Sequence, residues 1–356
     1  MAVACPACGE PSTGGEWCEA CGADLDGNAD SALSNANAEP CVSCAAPSTE
    51  IAADGYCSQC GHKQPDPRDH LEDDLGWLVM VTDRGNRHHR NEDFGAAAQV
   101  GDNSVMVVCD GVSTTDNPEQ ASLAATTAAV EVLVAALNEE SVDHRAAMAA
   151  AVKAAQQATL AVPAIVGGKG SPSCTFVASI TSSGIDGLET TIGWLGDSRA
   201  YWIDDTGAVT QLTTDHSWAS EQVADGLMTP EEANADSRAH TITRWLGEDA
   251  HEIEPGIVTH SAPSGRLLLC SDGLWNYADT DETMTHQVAA HDDGSLIVLA
   301  QNLVTYALES GGHDNTTVAI ADHSAQPDPA EPKSDLPEES TTTTAAPEAA
   351  EGDLVT

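Results

Sequence analysis

The sequence predicts an α+β protein of antiparallel sheets covered by helices, preceded by two small zinc ribbons. Three observations predict it. Residues 76–323 alternate apolar, strand-like runs with alanine-rich helical stretches. Several runs are joined by hairpin-like spacers, which does not fit a uniform βαβ repeat. Ahead of them, eight of the eleven cysteines lie before residue 61, in four Cys-x-x-Cys pairs.

The cysteines come first in the chain. "CPACG" and "WCEACG" supply Cys5, Cys8, Cys18 and Cys21; "CVSC" and "YCSQCG" supply Cys41, Cys44, Cys57 and Cys60. Nine residues separate the pairs in the first unit and twelve in the second. Four thiolates at such spacing close a tetrahedral zinc shell, with Zn–S bonds of about 2.3 Å. Gly9, Gly22 and Gly61 follow a second cysteine, where the chain must turn tightly. Segments this short cannot build a core, so bound Zn²⁺ supplies the folding energy. A redox dithiol would need a surrounding βαβ context, which is absent. With four ligands filled in each unit the two zinc ions are structural, and the ribbons' role is docking to a partner protein. His62 is read as a neighbour and not a ligand. The boundaries are 1–24 and 41–63 for the ribbons, joined by a linker at 25–40.

Residues 64–75, "QPDPRDHLEDDL", read as a polar linker. Strands follow near 77–82, 104–109, 174–181, 190–195, 199–204, 265–270 and 316–321, with helices at 118–138, 143–162, 217–226 and 294–310. "WIDDTGAVTQL" (202–212) reads as a hairpin turning near Asp205–Gly207. "TPEEA" (229–233) reads as a capped helix start. Cys109, Cys174 and Cys270 sit in apolar segments and read as reduced core thiols. Residues 324–356 are rich in Pro, Glu and Thr, with little to bury, and are expected to be disordered.

The 57 acidic and 13 basic residues give a formal charge of −44. Such a field repels nucleic acid and anionic membranes and attracts cations. Residues 1–63 hold one Lys and no Arg, so the ribbons cannot neutralise nucleic-acid phosphates. The N-terminus has no basic start or apolar h-region. The apolar stretch 123–137 is interrupted by Thr and Glu and reads as a core helix. A cytoplasmic location is expected.

The chemistry lies where apolar strands end in carboxylates. Asp110 follows "VMVVC", Asp272 follows "LLLCS", Asp197 follows "IGWLG", and Asp314 precedes "TVAIA"; Glu92 and Asp93 sit in "HHRNEDF". One Asp-Gly is an ordinary turn; the repeated placement at strand ends is not. If those ends gather, each like-charge pair at about 4 Å costs on the order of 1–4 kcal/mol. Divalent cations remove that cost, and oxygen ligands select Mg²⁺ or Mn²⁺. Two such ions can share a water, bring its pKa toward neutrality and direct it at phosphorus.

With "TDRGNRHHRNEDF", "VVCDGV", "SCTFVA", "GWLGDSRAYWI", "TITRWLG", "LLLCSDGLW" and "GGHDNTTVAIA" in this order, residues 77–321 resemble the metal-dependent Ser/Thr protein phosphatases of type 2C, bacterial type. The resemblance implies a four-layer α-ββ-α sandwich over 76–323, with the metals at one edge between the sheets. It implies catalytic roles for Asp110, Asp272 and Asp314. Asp110 would bridge two metals, the Gly111 carbonyl would bind one, and Asp272 and Asp314 would bind the other. Asp93, with Glu92, would act through water, and Asp197 would help hold a third, weaker metal. Residues 214–238 match the flap beside the substrate cleft. Phosphoproteins would be the substrates.

Three departures stand out. His88 occupies the position of the family's phosphate-binding Arg, so His88 itself and the flanking Arg87 and Arg90 are the phosphate-binding candidates. "STTDNPEQAS" replaces the glycine pair that follows "DGV" in bacterial members. Val112 stands where eukaryotic members place a proposed acid, so His88, His216 and His313 become candidates for protonating the leaving group. The alternative reading is a weakly active or inactive phosphatase fold that binds phosphoproteins and docks through its zinc ribbons.

Overall fold

The computed structural model describes residues 40–52, 55–139, 142–184 and 187–323, together with a short pairing of Val3–Ala4 with Pro11–Ser12. The first cysteine unit (Cys5, Cys8, Cys18, Cys21) and the tail 324–356 lie outside the described residues. The chain divides into two compact units, 1–67 and 68–356.

In chain order, the strands of the second unit's two main sheets are β1 (His70–Asp74), β2 (Leu78–Asp83), β3 (Phe94–Val100), β4 (Asn103–Cys109), β5 (Phe176–Gly184) and β6 (Gly187–Leu195). They continue with β7 (Arg199–Ile203), β8 (Val209–Gln211), β9 (Gly256–Ala262), β10 (Arg266–Cys270) and β11 (Thr316–Asp322). The helices are α1 (Pro118–Leu137), α2 (His144–Ala161), α3 (Trp218–Ala224), α4 (Pro230–Asn234), α5 (Asp272–Trp275), α6 (Asp281–His291) and α7 (Leu296–Ser310). One sheet runs β8-β7-β10-β11-β2-β1 and the other β9-β6-β5-β4-β3, with every neighbouring pair antiparallel.

Period-two alternation explains the four layers. On β2, Leu78 and Met80 face the other sheet, meeting Met106, Val108, Val177 and Ile192. Val79 and Val81 point the opposite way, into a core shared with Leu299, Leu303 and Ala307 of α7. On β4, Val105 and Val107 pack against Ala121, Ala125 and Leu133 of α1. Both faces of the central strands are thus buried, which is why their sequences are continuous apolar runs. Each buried Val, Leu or Ile contributes roughly 1.5–3 kcal/mol. Alanines on α1 let that helix lie close to its sheet. Cys109, Cys174 and Cys270 are free and buried in this core.

The expected hairpin forms between β7 and β8. Asp204 Oδ1 accepts from the amides of Thr206 (2.8 Å) and Ala208 (3.0 Å), and Gly207 takes φ +82°. Thr229 and Glu232 form a reciprocal capping box on α4.

The structure corrects the sequence reading in places. Residues 70–74, read as linker, are an edge strand that pairs with β2 from His70↔Asp83 to Asp74↔Val79. β3 and β9 were not expected: "FGAAAQV" has little β-branched character, and "GIVTHSA" is only partly buried. α6 buries only Met284 and Val288, which is too weak an apolar stripe to read.

Candidate active site

Strand ends deliver the acids. β4 ends at Cys109 and hands on Asp110; β6 ends at Leu195, two residues before Asp197. β10 ends at Cys270, and Asp272 opens α5. Asp93 stands just before β3, and Asp314 just before β11.

These side chains lie near enough for their charges to act on one another. Burial pushes the Asp110 carboxyl well above the usual carboxylate range, and the charges of Asp93, Asp272, Asp314 and Asp197 push it further. Asp272 is raised well above that range by burial, then by Asp314, Asp197 and Asp93. Burial raises Asp93 to about 7, helped by Asp314. Asp197 also rises to about 7, through burial and then Asp215.

Two oxygens mark what is needed. Asp93 Oδ2 accepts from Ser271 Oγ (2.7 Å) and Thr317 Oγ1 (2.8 Å), but its buried Oδ1 has no hydrogen-bond partner. Asp272 Oδ2 accepts from Asn276 Nδ2 at 3.2 Å, and its Oδ1 is likewise buried without a partner. Orphaned carboxylate oxygens among like charges are costly. An all-oxygen set of this kind fits hard divalent cations such as Mg²⁺ or Mn²⁺.

Backbone contacts fix the site. The Asp110 amide donates to Thr175 Oγ1 (3.1 Å), and its carbonyl accepts from the Thr175 amide (2.7 Å). At Gly111 a Cβ would stand 2.6 Å from the Pro118 carbonyl oxygen and 2.7 Å from that of Glu92, so only glycine fits. Glu92 is half-buried and accepts a short hydrogen bond from Ser113 Oγ. Burial raises its carboxyl, but nearby His88 and the hydrogen bond from Ser113 outweigh burial and hold it below the usual range.

The three candidates at 87–90 separate. His88 reaches the acids: its Nε2 lies 3.1 Å from Asp314 Oδ1 and its Nδ1 3.7 Å from Glu92 Oε2. Glu92, and then Asp314, raise its pKa against the opposing effect of burial. Arg90 is tied to Glu119 at 2.6 Å, and Arg87 is exposed. Among the other two histidines, His313 is exposed; His216 is driven by burial to about 4 and stacks on Trp194.

Sequence reasoning missed the supports. Asn315, Ser271, Thr317 and Thr175 are polar groups that hold the acids from the strand ends. Arg199 forks onto Asp215 (2.9 and 2.7 Å) and lies 3.6 Å over the Trp275 ring, while Trp275 Nε1 donates to the Asp197 carbonyl at 2.9 Å. The available signal was that Ser271 and Asn315 adjoin Asp272 and Asp314 in the sequence. The segment matched to the flap carries α3 and α4 and borders a cleft of about 420 Å³ lined by Arg199, Asp215, Ser217, Ser220 and His240.

In the first unit, Cys41, Cys44, Cys57 and Cys60 bring their sulfurs within 4.8 Å of one another. Cys41 and Cys60 are 3.6 Å apart, and Cys44 and Cys57 3.7 Å. The Ala45 amide bonds to the Cys41 carbonyl and the Gly61 amide to that of Cys57, each at 2.8 Å. Gly61 takes φ +71°, as the turn requires, and Ala45 takes φ +57°. Burial acts to raise the Cys41 thiol, but hydrogen bonds from Cys44 and Ser43 draw it down to about 6. At Cys44 the Ala46 backbone acts to lower the thiol, but Cys60, burial, Cys41 and Cys57 together carry it up to about 12. His62 contributes its carbonyl to the Cys57 amide (2.9 Å) and is not among the clustered ligands.

A family model described as protein phosphatase 2C matches residues 84–303. The serine/threonine protein phosphatase PstP of Mycobacterium tuberculosis is 39% identical over 129 residues, covering 36% of this chain and 24% of that protein. The chain thus spans about a quarter of that curated relative. The serine/threonine phosphatase stp of Listeria welshimeri is 30% identical over 251 residues, covering 68% of this chain and 93% of that protein. The crystal structure of the M. tuberculosis phosphatase PstP/Ppp superposes with a TM-score of 0.57 at 29% identity, over 69% of this chain and 97% of that one. A PstP catalytic domain in complex with two manganese ions superposes with a TM-score of 0.51 at 29% identity, over 69% of this chain and 96% of that one. The family match and the four-layer fold, with its acids gathered at the strand ends, agree: this chain belongs to the protein phosphatase 2C family.

Proposed function

We propose that this protein hydrolyses phosphoserine and phosphothreonine in other proteins, using Mn²⁺ or Mg²⁺. The observation that carries the reading is the gathering of Asp93, Asp110, Asp197, Asp272 and Asp314 around two buried oxygens without partners. Asp110, the Gly111 carbonyl, Asp272 and Asp314 would hold two ions; Asp93 and Glu92 would act at one remove, and Asp197 would serve a third. The PstP catalytic domain, whose structure contains two manganese ions, supports the two-ion part of that reading. When bound, such ions activate a water and polarise the phosphoryl group.

The chain's own residues do the rest. Ser271 and Thr317 hold Asp93 in one orientation. Exposed Arg87 is the better phosphate-binding candidate, because Arg90 is already paired with Glu119. His88 is the better proton donor to the leaving group: it lies among the acids, whereas His216 is held neutral by burial.

Cys41, Cys44, Cys57 and Cys60 would hold structural Zn²⁺, and the spacing of Cys5, Cys8, Cys18 and Cys21 supports a second ion. The acidic composition of 1–63 favours a protein as the ribbons' docking partner over nucleic acid.

The test is phosphate release from a phosphothreonine peptide by the full chain, with and without Mn²⁺, alongside Asp272→Ala. Mn²⁺-dependent turnover lost in the variant is expected. A folded, Mn²⁺-loaded chain with no turnover would favour the phosphoprotein-binding alternative.

A further inference from the structure

The segment that replaces the family's glycine pair does a specific job. Asp116 is 5% exposed, and both its oxygens are used. Oδ2 accepts from the Ile165 amide (3.0 Å) and Oδ1 from the Lys169 amide (2.8 Å). The Asp116 amide donates to the Gly170 carbonyl at 3.1 Å, and Asn117 Nδ2 donates to the Pro163 carbonyl at 2.8 Å. Gly168 packs directly on the Asp116 carboxylate. Asn117 accepts a left-handed φ of +48° in making this bracket. Residues 163–170 are thereby held against the turn that follows Gly111.

The bracket brings one cation to the turn that carries Ser113. Lys169 Nζ donates to the Ser113 carbonyl at 3.4 Å, and Ser113 Oγ bonds Glu92. The Lys169 side chain is exposed, and this contact is with a neutral group. The chain has only four Lys against 57 acidic residues. A phosphorylated substrate approaching so negative a surface is repelled unless positive charge stands at the rim. A flexible ammonium suits an anionic oxygen met in more than one geometry.

We propose that Lys169 is a substrate-binding residue, held at the rim of the site by Asp116, and that it contacts an anionic oxygen of the incoming phosphopeptide. That oxygen belongs either to the phosphate or to a carboxylate beside the phosphorylated residue. The proposal rests on the phosphatase reading of the same site.

The test compares the full chain with Lys169→Ala and Lys169→Arg. Three substrates are used: p-nitrophenyl phosphate, a phosphothreonine peptide with neutral flanks, and one with Asp and Glu flanks. Lys169→Ala should raise KM about two- to fivefold, the scale of one exposed ionic contact, with most of the effect in KM and not kcat. Lys169→Arg should restore it, and high salt should erase the difference. Equal effects on all three substrates assign the phosphate; an effect confined to the acidic peptide assigns the flanking carboxylate. Asp116→Ala should reproduce the KM change if it folds. An unchanged KM in Lys169→Ala for every substrate overturns the proposal, as does a loss that Lys169→Arg fails to restore. Fluorescence anisotropy of the same peptides, bound without turnover, separates the two readings. A chain that hydrolyses nothing yet binds phosphopeptide through Lys169 sinks the phosphatase reading alone. A chain that hydrolyses the peptide and binds it without regard to Lys169 sinks this proposal alone.

Discussion

Asn315 fixes Glu92 in place: its side-chain oxygen accepts the Glu92 amide at 2.8 Å, while its nitrogen donates to the carbonyls of Arg84 (2.6 Å) and Arg90 (3.1 Å). One buried amide thus ties the segment from 84 to 92 to the start of β11. Asn315→Ala removes all three bonds and strands a buried amide and carbonyls. It should cost about 1–3 kcal/mol of stability and weaken Mn²⁺ binding. Thermal unfolding with and without Mn²⁺ checks this. A variant that binds Mn²⁺ like the parent would show that Glu92 needs no such anchor.

Acid–base linkage gives a second expectation. Asp93 and Asp197 are raised to about 7, well above the unfolded carboxylate value near 4. The metal-free folded chain therefore binds protons that the unfolded chain has released. Their contribution is fully present below pH ~4 and is lost as pH rises through about 7. Burial of His216 and His323, each lowered to about 4, acts in the opposite sense. The gain in melting temperature on adding Mn²⁺ should accordingly be larger at pH 8 than at pH 5.5. An equal gain at both values would mean that the acids do not bear the metal.

Gly273 leaves no room for a side chain, because a Cβ there would overlap the Asn315 carbonyl oxygen. Gly273→Ala should destabilise the chain by about 1–3 kcal/mol and displace Asp272. Gly170→Ala, with nothing within 4 Å of the added carbon, is the control that should be tolerated. Denaturant unfolding of the two variants would separate close packing from a general effect of alanine.

Ala45 adopts φ +57° in the position that Gly61 fills in the partner knuckle. A left-handed conformation costs a non-glycine residue about 1–2 kcal/mol. Ala45→Gly should tighten zinc retention about fivefold or more, a conversion of that strain. Competition with a chromophoric chelator measures it. Cys57→Ser should abolish retention at that module.

The core was legible because period-two apolar runs such as Leu78–Val81 and Leu267–Cys270 are buried on both faces. Asp110, Asp197 and Asp272 were legible because each follows such a run, and Asp314 because it precedes one. What escaped was held by context. His70–Asp74 carries no apolar signal, and its strand exists because β2 offers it a partner. Ser271, Thr317 and Asn315 look like ordinary strand or turn residues until the fold brings them to Asp93 and Glu92. Arg90 and Arg87 could not be ranked until Glu119 was seen to claim the first.

β1 also sets where this chain can be cut. Its charged residues close the hydrogen-bonding rim of β2, whose Leu78, Val79 and Val81 are wholly buried. A fragment begun at residue 76, the apparent start of the apolar sequence, would strip that cover. It would bare a greasy strand with unsatisfied amides, ready to add a second chain and grow into insoluble assemblies. A fragment begun at residue 68 keeps the guard strand, so the shorter of two nearly identical truncations is the one that should fail to stay in solution.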